Sequence, residues 1–394
     1  MADHSFDVVI AGGGIIGSAV AYFLSIEPGF SGRVAVVERD PTYRIASTTL
    51  SAASIRQQFS TPENIAIGLF GADFLRRSHD LLSVDGHPCE IGFVEGGYLF
   101  LATEAGAPVL RENHALQRRM GADNVLLDPA GLRARFPWLH VDDLALGCLG
   151  LSMEGWFDPH GLLQGFRRRA RANGVTYLTD EVVGLERDGN RIAAVRLKGG
   201  DRIACGTLVN AAGAWAGRLA ALADIPLSVE PRKRFVYMIN CREPVEPLAP
   251  LLIDPTGIYF RPEGKGFICG MSPPPDEDGP ADDLEVDYRP FEEVIWPVLA
   301  QRVPAFEAIK LQSAWAGFYD YNPIDHNGIV GRHPDVANLV FANGFSGHGL
   351  QQSPAVGRGV AELIAHGAYR TLDLTRFAYE RFAAGRLIIE KNVV

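Results

Sequence analysis

The sequence predicts an α/β protein in which one domain contains a parallel sheet and a second domain is built on an antiparallel β-sheet. The chain has 394 residues, which is more than a single domain usually contains. A strand–helix–strand pattern begins near residue 6, and short β-like runs separated by proline-rich loops occupy the later part of the chain. The expected domain boundaries are 1–87, 146–224 and 326–394 for the first domain, and 88–145 and 225–325 for the second.

The composition is that of an ordinary globular protein. Hydrophobic residues make up 47% of the chain and charged residues 21%, and the formal net charge is −10. An acidic chain without concentrated Lys and Arg argues against nucleic acid as a partner. The five cysteines form no CxxC pair, which predicts a reducing compartment and no metal site.

An uncharged run from Val8 to Leu24 superficially resembles the apolar core of a signal peptide. The residues before it include Asp3 and Asp7 rather than Lys or Arg, and three consecutive glycines interrupt it. No other stretch reaches the roughly 18 apolar residues that a membrane-spanning helix needs. We therefore expect a cytoplasmic protein without a transmembrane segment.

The first elements of the chain form a βαβ unit. The run 6–10 has the length and residue types of a strand, and apolar residues recur at helical spacing over 15–24. The run 33–38 is almost continuously apolar, as expected of a parallel strand that is buried on both faces. This order predicts a parallel sheet with a helix packed on one face.

A G-x-G-x-x-G motif at Gly12, Gly14 and Gly17 lies inside this unit. The first glycine permits a tight turn, the second lets a pyrophosphate approach the backbone, and the third lets helix and strand pack closely. Glu38 follows about 20 residues later, where an acidic side chain binds ribose hydroxyls. The unit predicts a Rossmann-like dinucleotide site that could take FAD or NAD, and Arg39 leaves NADP open as well.

Later elements follow from similar patterns. Asp188-Gly189 predicts a hairpin turn within 182–197, and two further buried strands run into glycine-containing turns, at Asn210 and at Asn343. The helices that the periodicity predicts cover about 62–82, 108–120 and 160–172.

Four blocks together resemble the D-amino-acid-oxidase-like family of FAD-dependent amine oxidoreductases, which includes sarcosine oxidase, glycine oxidase and sarcosine dehydrogenase. They are the glycine motif with Glu38 and the segments 47–56, 209–215 and 345–349. The resemblance extends over almost the whole chain and implies a Rossmann-like FAD-binding domain with a substrate domain on an antiparallel β-sheet. A mitochondrial member associated with assembly of a respiratory complex is especially similar in appearance, in the segments 47–51, 57–59, 317–322 and 347–352. Because no Arg-rich leader is evident, we expect a bacterial chain or a trimmed form.

The resemblance implies FAD as the cofactor. Some oxidase relatives attach FAD to a cysteine where this chain has Gly317, so we expect non-covalent binding. The implied cofactor-binding residues are Gly12, Gly14, Ile15, Ile16, Gly17, Glu38, Arg39, Ser47, Thr48, Thr49, Val182, Ala212, Gly213, Trp215, Gly344, Ser346, Gly347, His348, Gly349, Leu350 and Gln351.

For the substrate, the resemblance places Arg56 where a family arginine pairs with an amino-acid carboxylate, a role that a planar guanidinium suits. Tyr259 and Tyr319 match aromatic positions around the family's substrate cavity, and His348 orients or contacts the flavin. From the residues alone, Arg56 could equally be structural and either tyrosine could be part of a core.

The expected function is oxidation of the C–N bond of a small or N-methyl amino acid, with hydride transfer to flavin N5 and hydrolysis of the imine. Ile268 and Gln351 stand where sarcosine oxidases have lysines, which weakens the case for a fast oxidase. The acceptor is therefore O2, a quinone or an electron-transfer flavoprotein. Two alternatives stay open: a non-catalytic FAD-bound assembly or scaffold factor, and a flavin dehydrogenase of 2-hydroxy acids.

Overall fold

The computed structural model describes residues 4–391, and the elements named below lie within that range. The strands are β1 His4–Ala11, β2 Val34–Glu38, β3 Ser54–Ile55, β4 Tyr98–Ala102, β5 Asn124–Leu127, β6 Leu146–Gly150, β7 Gly155–Trp156, β8 Thr176–Thr179, β9 Val182–Asp188, β10 Arg191–Leu197, β11 Arg202–Asn210, β12 Glu230–Cys241, β13 Leu251–Ile253, β14 Tyr259–Glu263, β15 Gly266–Gly270, β16 Ile309–Tyr321, β17 Ile329–Arg332 and β18 Leu339–Asn343. The helices are α1 Ile15–Ile26, α2 Pro62–Leu81, α3 Ala107–Arg119, α4 Pro129–Arg135, α5 Pro159–Ala172, α6 Ala216–Ala221, α7 Trp296–Arg302 and α8 Gly349–His366.

The first sheet has the strand order β17-β18-β11-β1-β2-β8. The five strands from β18 to β8 are parallel, whereas β17 runs antiparallel at the edge. Strands β9 and β10 form the predicted hairpin, and β10 pairs with the first half of β11. Val8 and Ile10 face a cluster that includes α1, α5 and α8, while Val9 and Ala11 face the opposite cluster. Both faces are thus buried, as the continuous apolar runs predict.

The second sheet has the order β16-β12-β15-β14-β13-β4-β6-β5 and is antiparallel except where β13 meets β4. Side chains of β4 alternate between its two faces. Leu99 and Leu101 pack with α4 and α7, whereas Tyr98 and Phe100 lie on the other face. A short two-stranded pairing of β3 with β7 lies outside both sheets.

The expected fold class is confirmed: a parallel α/β sheet is combined with a second, antiparallel β-sheet. The strand after residue 338 and the helices starting near residues 62, 108 and 160 also form close to the predicted positions. One strand differs from the expected division, because β6 belongs to the second sheet although it lies beyond the expected boundary at residue 145. Strand pairing does not define domain boundaries, so the division itself stays a prediction.

Helices α1 and α8 pack closely on one face of the first sheet. At Gly357 of α8, an added Cβ would lie 2.8 Å from the carbonyl carbon and Cβ of Ala19 in α1. Because Ala19 lies two residues after Gly17, this contact helps to position the glycine motif relative to α8. No helix within residues 4–391 combines the length and apolar character needed to cross a bilayer.

We expect Gly357→Ala to lower the free energy of unfolding by about 1–3 kcal/mol, because its methyl group would overpack against the rigid backbone of Ala19. Gly359→Ala is the matched control in the same helix, since its methyl group would meet the movable end of the Leu374 side chain. We expect that variant to stay within about 1 kcal/mol of the wild type. Chemical denaturation measures both. Equal effects of the two substitutions would contradict the proposed close contact.

Candidate functional site

A cavity of about 560 Å³ lies at the carboxyl edge of the parallel sheet. Strands β1, β2, β11 and β18 all end there, and the segments that follow each of them line the cavity. The second sheet closes the other side with residues of β4, β12, β13, β14 and β16. This is the position at which doubly wound sheets bind ligands.

The start of α1 forms one end of the cavity. Gly12 adopts a positive φ of 100°, and a Cβ there would lie 2.3 Å from the carbonyl oxygen of Ala211. A Cβ on Gly17 would lie 1.9 Å from the carbonyl oxygen of Gly12. Both glycines are therefore required by close packing. Gly14 has no such crowding, and its N–H has no acceptor among residues 4–391, so it is available to a ligand.

Glu38 closes the turn from the end of β2. Its Oε2 accepts the N–H of Gly13 at 2.7 Å, and its Oε1 accepts the N–H of Asp40 at 2.8 Å. Burial raises the pKa of this carboxyl, and the two backbone N–H groups oppose that shift. Each carboxylate oxygen retains acceptor capacity, so Glu38 can still accept hydrogen bonds from ribose hydroxyls.

The segment after β2 supports the same turn. Thr48 accepts the N–H of Ile15 through its Oγ1 at 3.1 Å, which satisfies one of the free donors at the start of α1. Ser47 lines the cavity beside it. Thr49 does not line the cavity, and its hydroxyl is buried without a partner in the described chain.

The start of α8 also lines the cavity. The N–H groups of Gly349 and Leu350 have no acceptor within residues 4–391, as is usual for the first turn of a helix. Gly347 has a φ of 96°, and a Cβ there would lie 2.4 Å from the ring of Tyr319. Ser346 holds a φ of 51°, which is costly for a residue with a side chain and is common at functional turns. Two helix N-termini, each with partial positive charge, therefore border one cavity.

Arg39 and Trp215 form a further part of the wall. The guanidinium of Arg39 stacks on the indole at 3.9 Å, and its Nη1 lies 3.8 Å from Glu181. Val182 lines the cavity next to Glu181. Arg39 thus contacts both an aromatic ring and a carboxylate in the cavity wall.

Arg56 is 5% exposed and forms no salt bridge with a carboxylate of residues 4–391, although the buried Glu154 interacts with it electrostatically. Its guanidinium lies 4.7 Å from the ring centre of Phe59, 5.4 Å from that of Phe100 and 5.6 Å from that of Tyr98. Its Nε is buried without a hydrogen-bond partner. An unpaired buried charge is costly, which makes Arg56 the strongest candidate for binding an anion in this cavity.

His348 is one of the side chains that interact directly with the guanidinium, and the Tyr98 hydroxyl is another. Nη2 of Arg56 lies 3.1 Å from Nε2 of His348, and because a guanidinium only donates, Nε2 accepts. Burial and the charge of Arg56 lower the pKa of His348 to about 3. The imidazole is therefore neutral near pH 7 and carries its proton on Nδ1.

Two side chains hold the backbone on either side of Arg56. Gln351 Oε1 accepts the N–H of Arg56 at 3.0 Å, and Glu154 Oε1 accepts the N–H of Gln57 at 2.6 Å. Glu154 also accepts from Nε2 of Gln58 at 2.8 Å. Pairing of β3 with β7 brings Arg56 and Glu154 together, because one residue directly follows β3 and the other directly precedes β7.

Sequence reasoning missed several residues of the cavity or its support. Tyr98 joins the predicted Tyr259 and Tyr319 to form what we call the tyrosine wall (Tyr98, Tyr259 and Tyr319). Asp320 lines the cavity and accepts the N–H of Phe345 at 3.1 Å, and burial raises its pKa to about 6. Glu154 could have been found only as an acid in an otherwise apolar segment, which is a weak signal.

Most predicted site residues do line the cavity, including the three predicted substrate residues Arg56, Tyr259 and Tyr319 and the predicted flavin contact His348. Gly17, Thr49 and Gly344 do not line it. Gly17 acts by packing, and Gly344 supports the turn before α8 with a φ of 74°. Contact of any of these residues with a cofactor or a substrate stays a prediction.

Comparison with known proteins places these features in context. The family model described as DAO, FAD dependent oxidoreductase, matches residues 7–363. The chain is 46% identical to FAD-dependent oxidoreductase domain-containing protein 1 of Xenopus laevis, over 98% of this chain and 85% of that protein. It is 27% identical to glycine oxidase of Geobacillus kaustophilus, over 96% and 97% of the two chains. The solved structure of L-proline dehydrogenase from P. horikoshii matches with a TM-score of 0.86 and 27% identity, over 98% of this chain and all of that one.

The buried Glu154 generates a prediction about pH. Burial raises its pKa to about 7, against 4.5 for the unperturbed group, despite its hydrogen bonds to Gln58 and Gln57. The native state then binds more protons than the unfolded state between these values, so its stability falls as pH rises through that window. Between pH 4 and pH 8 the free energy of unfolding of the wild type should fall. We expect this fall to be smaller by about 3 kcal/mol in Glu154→Gln.

Chemical denaturation at the two pH values measures this difference. The exposed Glu104→Gln serves as the matched control and should keep the wild-type pH dependence. If Glu154→Gln also keeps it, the carboxyl of Glu154 does not titrate as its burial implies.

Proposed function

Because this chain belongs to the DAO family of FAD dependent oxidoreductases, we propose that it oxidises the C–N bond of a small amino acid or N-methyl amino acid. The observation that carries this proposal is the buried, unpaired guanidinium of Arg56 in a cavity lined by the tyrosine wall. Glycine oxidase and L-proline dehydrogenase, two proteins similar to this chain over nearly its full length, support an amino acid as the substrate class.

FAD is the cofactor of this family, and the cavity fits it. The free N–H groups at the start of α1 suit a diphosphate, and Glu38 suits the ribose next to it. The start of α8 suits the negative charge of a reduced flavin. None of the five cysteines lines the cavity, which supports non-covalent binding. Bound FAD supplies the acceptor for the two electrons removed from the substrate.

Arg56 binds the substrate carboxylate in this proposal. A guanidinium can donate two parallel hydrogen bonds to a carboxylate, and the surrounding apolar rings exclude water from the pair. Gln351 and Glu154 fix the backbone that carries Arg56, so the carboxylate is held in one orientation. Neutral His348 adds no competing charge.

The amine then lies against the tyrosine wall. Aromatic faces stabilise an ammonium or methylammonium group before it loses its proton. Asp320 also lines the cavity, and with a pKa of about 6 it is largely ionised at pH 7 and able to accept that proton. Loss of a hydride from carbon leaves an imine, which water hydrolyses. The protein contributes to the rate by holding the substrate and these side chains in a reactive orientation.

The electron acceptor and the cytoplasmic location stay predictions. Ile268 is buried in β15 and does not line the cavity. Gln351 does line the cavity, but its side chain is uncharged. Neither position supplies a cation that would stabilise reduced oxygen. A quinone or an electron-transfer flavoprotein therefore fits this site at least as well as O2.

Anaerobic mixing of the FAD-loaded protein with candidate substrates tests the proposal. We expect sarcosine-like N-methyl amino acids or small amino acids to bleach the oxidised flavin absorbance. If only 2-hydroxy acids bleach the flavin, the substrate is an alcohol rather than an amine. If every compound leaves the spectrum unchanged, the protein is not a turnover enzyme of this class, and an assembly or scaffold role takes its place.

For the substrate found in that panel, Arg56→Met should raise the concentration for half-maximal flavin reduction by about 100-fold, because two charge-assisted hydrogen bonds are lost. The limiting reduction rate should change much less. The exposed Arg44→Met is the matched control and should leave both values unchanged. An unaltered half-saturating concentration in Arg56→Met would contradict the carboxylate-binding role.

A further inference from the structure

A second buried arginine lines the same cavity. Arg234 extends from β12, and its guanidinium lies 5.0 Å from the ring centre of Tyr319. Arg56 lies 5.6 Å from the ring centre of Tyr98. Tyr259 is close enough to both other tyrosines for their phenol groups to interact electrostatically. The tyrosine wall thus connects two guanidinium groups, one at each end.

The two arginines differ in their charge partners. Arg56 has no ion pair within residues 4–391, whereas Arg234 forms a two-pronged pair with Asp278. Its Nη1 donates to Oδ1 at 2.7 Å and its Nη2 to Oδ2 at 2.8 Å. Both side chains are nearly buried, at 9% and 10% exposed. Asp278 therefore neutralises the charge of Arg234, whereas no salt bridge neutralises that of Arg56.

Asp278 reaches Arg234 from an acidic loop that follows β15. The loop has other ion pairs near it, including Asp283 with Lys233 at 2.7 Å. Arg232 also lies 3.9 Å from Asp278, but it already pairs with Glu230. The carboxylate of Asp278 thus neutralises Arg234 and takes a hydrogen bond from each of its two terminal nitrogens, while Nε of Arg234 has no partner.

We infer that Asp278 is a specificity-determining residue, which neutralises Arg234 and restricts the cavity to ligands with a single carboxylate, bound at Arg56. This inference rests on the proposed function, because it takes Arg56 as the carboxylate site. It narrows the substrate class to monocarboxylic amines. A dicarboxylate would bring its second carboxylate beside the negative charge of Asp278, at a guanidinium whose charge Asp278 already neutralises.

The test uses unreactive ligands with the FAD-loaded protein, so that turnover is not required. Isothermal titration calorimetry measures binding of acetate and of malonate, succinate and glutarate, which differ in the separation of their two carboxylates. In the wild type, acetate should bind more tightly than each dicarboxylate. In Asp278→Asn, at least one dicarboxylate should bind about tenfold more tightly or better, while acetate changes by less than about twofold.

Two further variants distinguish this role from a structural one. Asp283→Asn removes the exposed ion pair with Lys233 in the same loop, and it should leave all four affinities unchanged. Adding Arg234→Gln to Asp278→Asn should abolish the gain for the dicarboxylate, since the released guanidinium is then absent. If Asp278 has only a structural role, Asp278→Asn should instead lower the affinity for all four ligands together.

The outcomes also separate this inference from the proposed function. If acetate binds the wild type and Arg56→Met abolishes that binding, but no dicarboxylate gains affinity in Asp278→Asn, only the specificity role is overturned. If acetate does not bind the wild type, both the carboxylate site at Arg56 and the inference built on it are overturned.

Discussion

The cost of burying an unpaired guanidinium is the constraint on which the organisation of the candidate site depends. Arg56 is held among aromatic rings, with its backbone fixed by Gln351 on one side and through Gln57 by Glu154 on the other. Folding alone does not explain this arrangement, because an apolar residue of similar size would fill the space without the desolvation penalty. A bound anion does explain it, since a carboxylate would supply the missing charge and hydrogen-bond acceptors.

The fold brings this cation next to a dinucleotide site through two packing relations. The close contact of α1 with α8 sets the starts of both helices at the carboxyl edge of the parallel sheet, where their free N–H groups border one cavity. The antiparallel sheet then covers that edge with the tyrosine wall. The parallel sheet thus supplies the cofactor half of the cavity, and the antiparallel sheet supplies most of the substrate half. Both sheets are therefore needed to form the complete site.

The sequence predicts the parts of this site that depend on local order. The βαβ unit, its glycines and Glu38 lie within one short segment, and the turn before α8 is marked by glycines around His348. Contacts over long sequence separation were not predictable in the same way. Glu154 and Gln57 are 97 positions apart, and Arg56 and His348 are 292 apart. Tyr98, Asp320 and the pairing of Asp278 with Arg234 depend on the same kind of tertiary contact. Thr49 and Gly344 lie in the predicted segments but do not line the cavity, because the Thr49 hydroxyl is buried and Gly344 forms part of the turn before α8.

The most direct measurement is the free energy of unfolding of ligand-free, FAD-loaded protein with Arg56 or with Arg56→Met. If the charge is retained for a ligand rather than for the fold, methionine should leave the stability within about 1 kcal/mol of the wild type or raise it. A loss of about 3 kcal/mol or more would show that Arg56 is a structural residue, and the account of this cavity as a carboxylate site would be wrong.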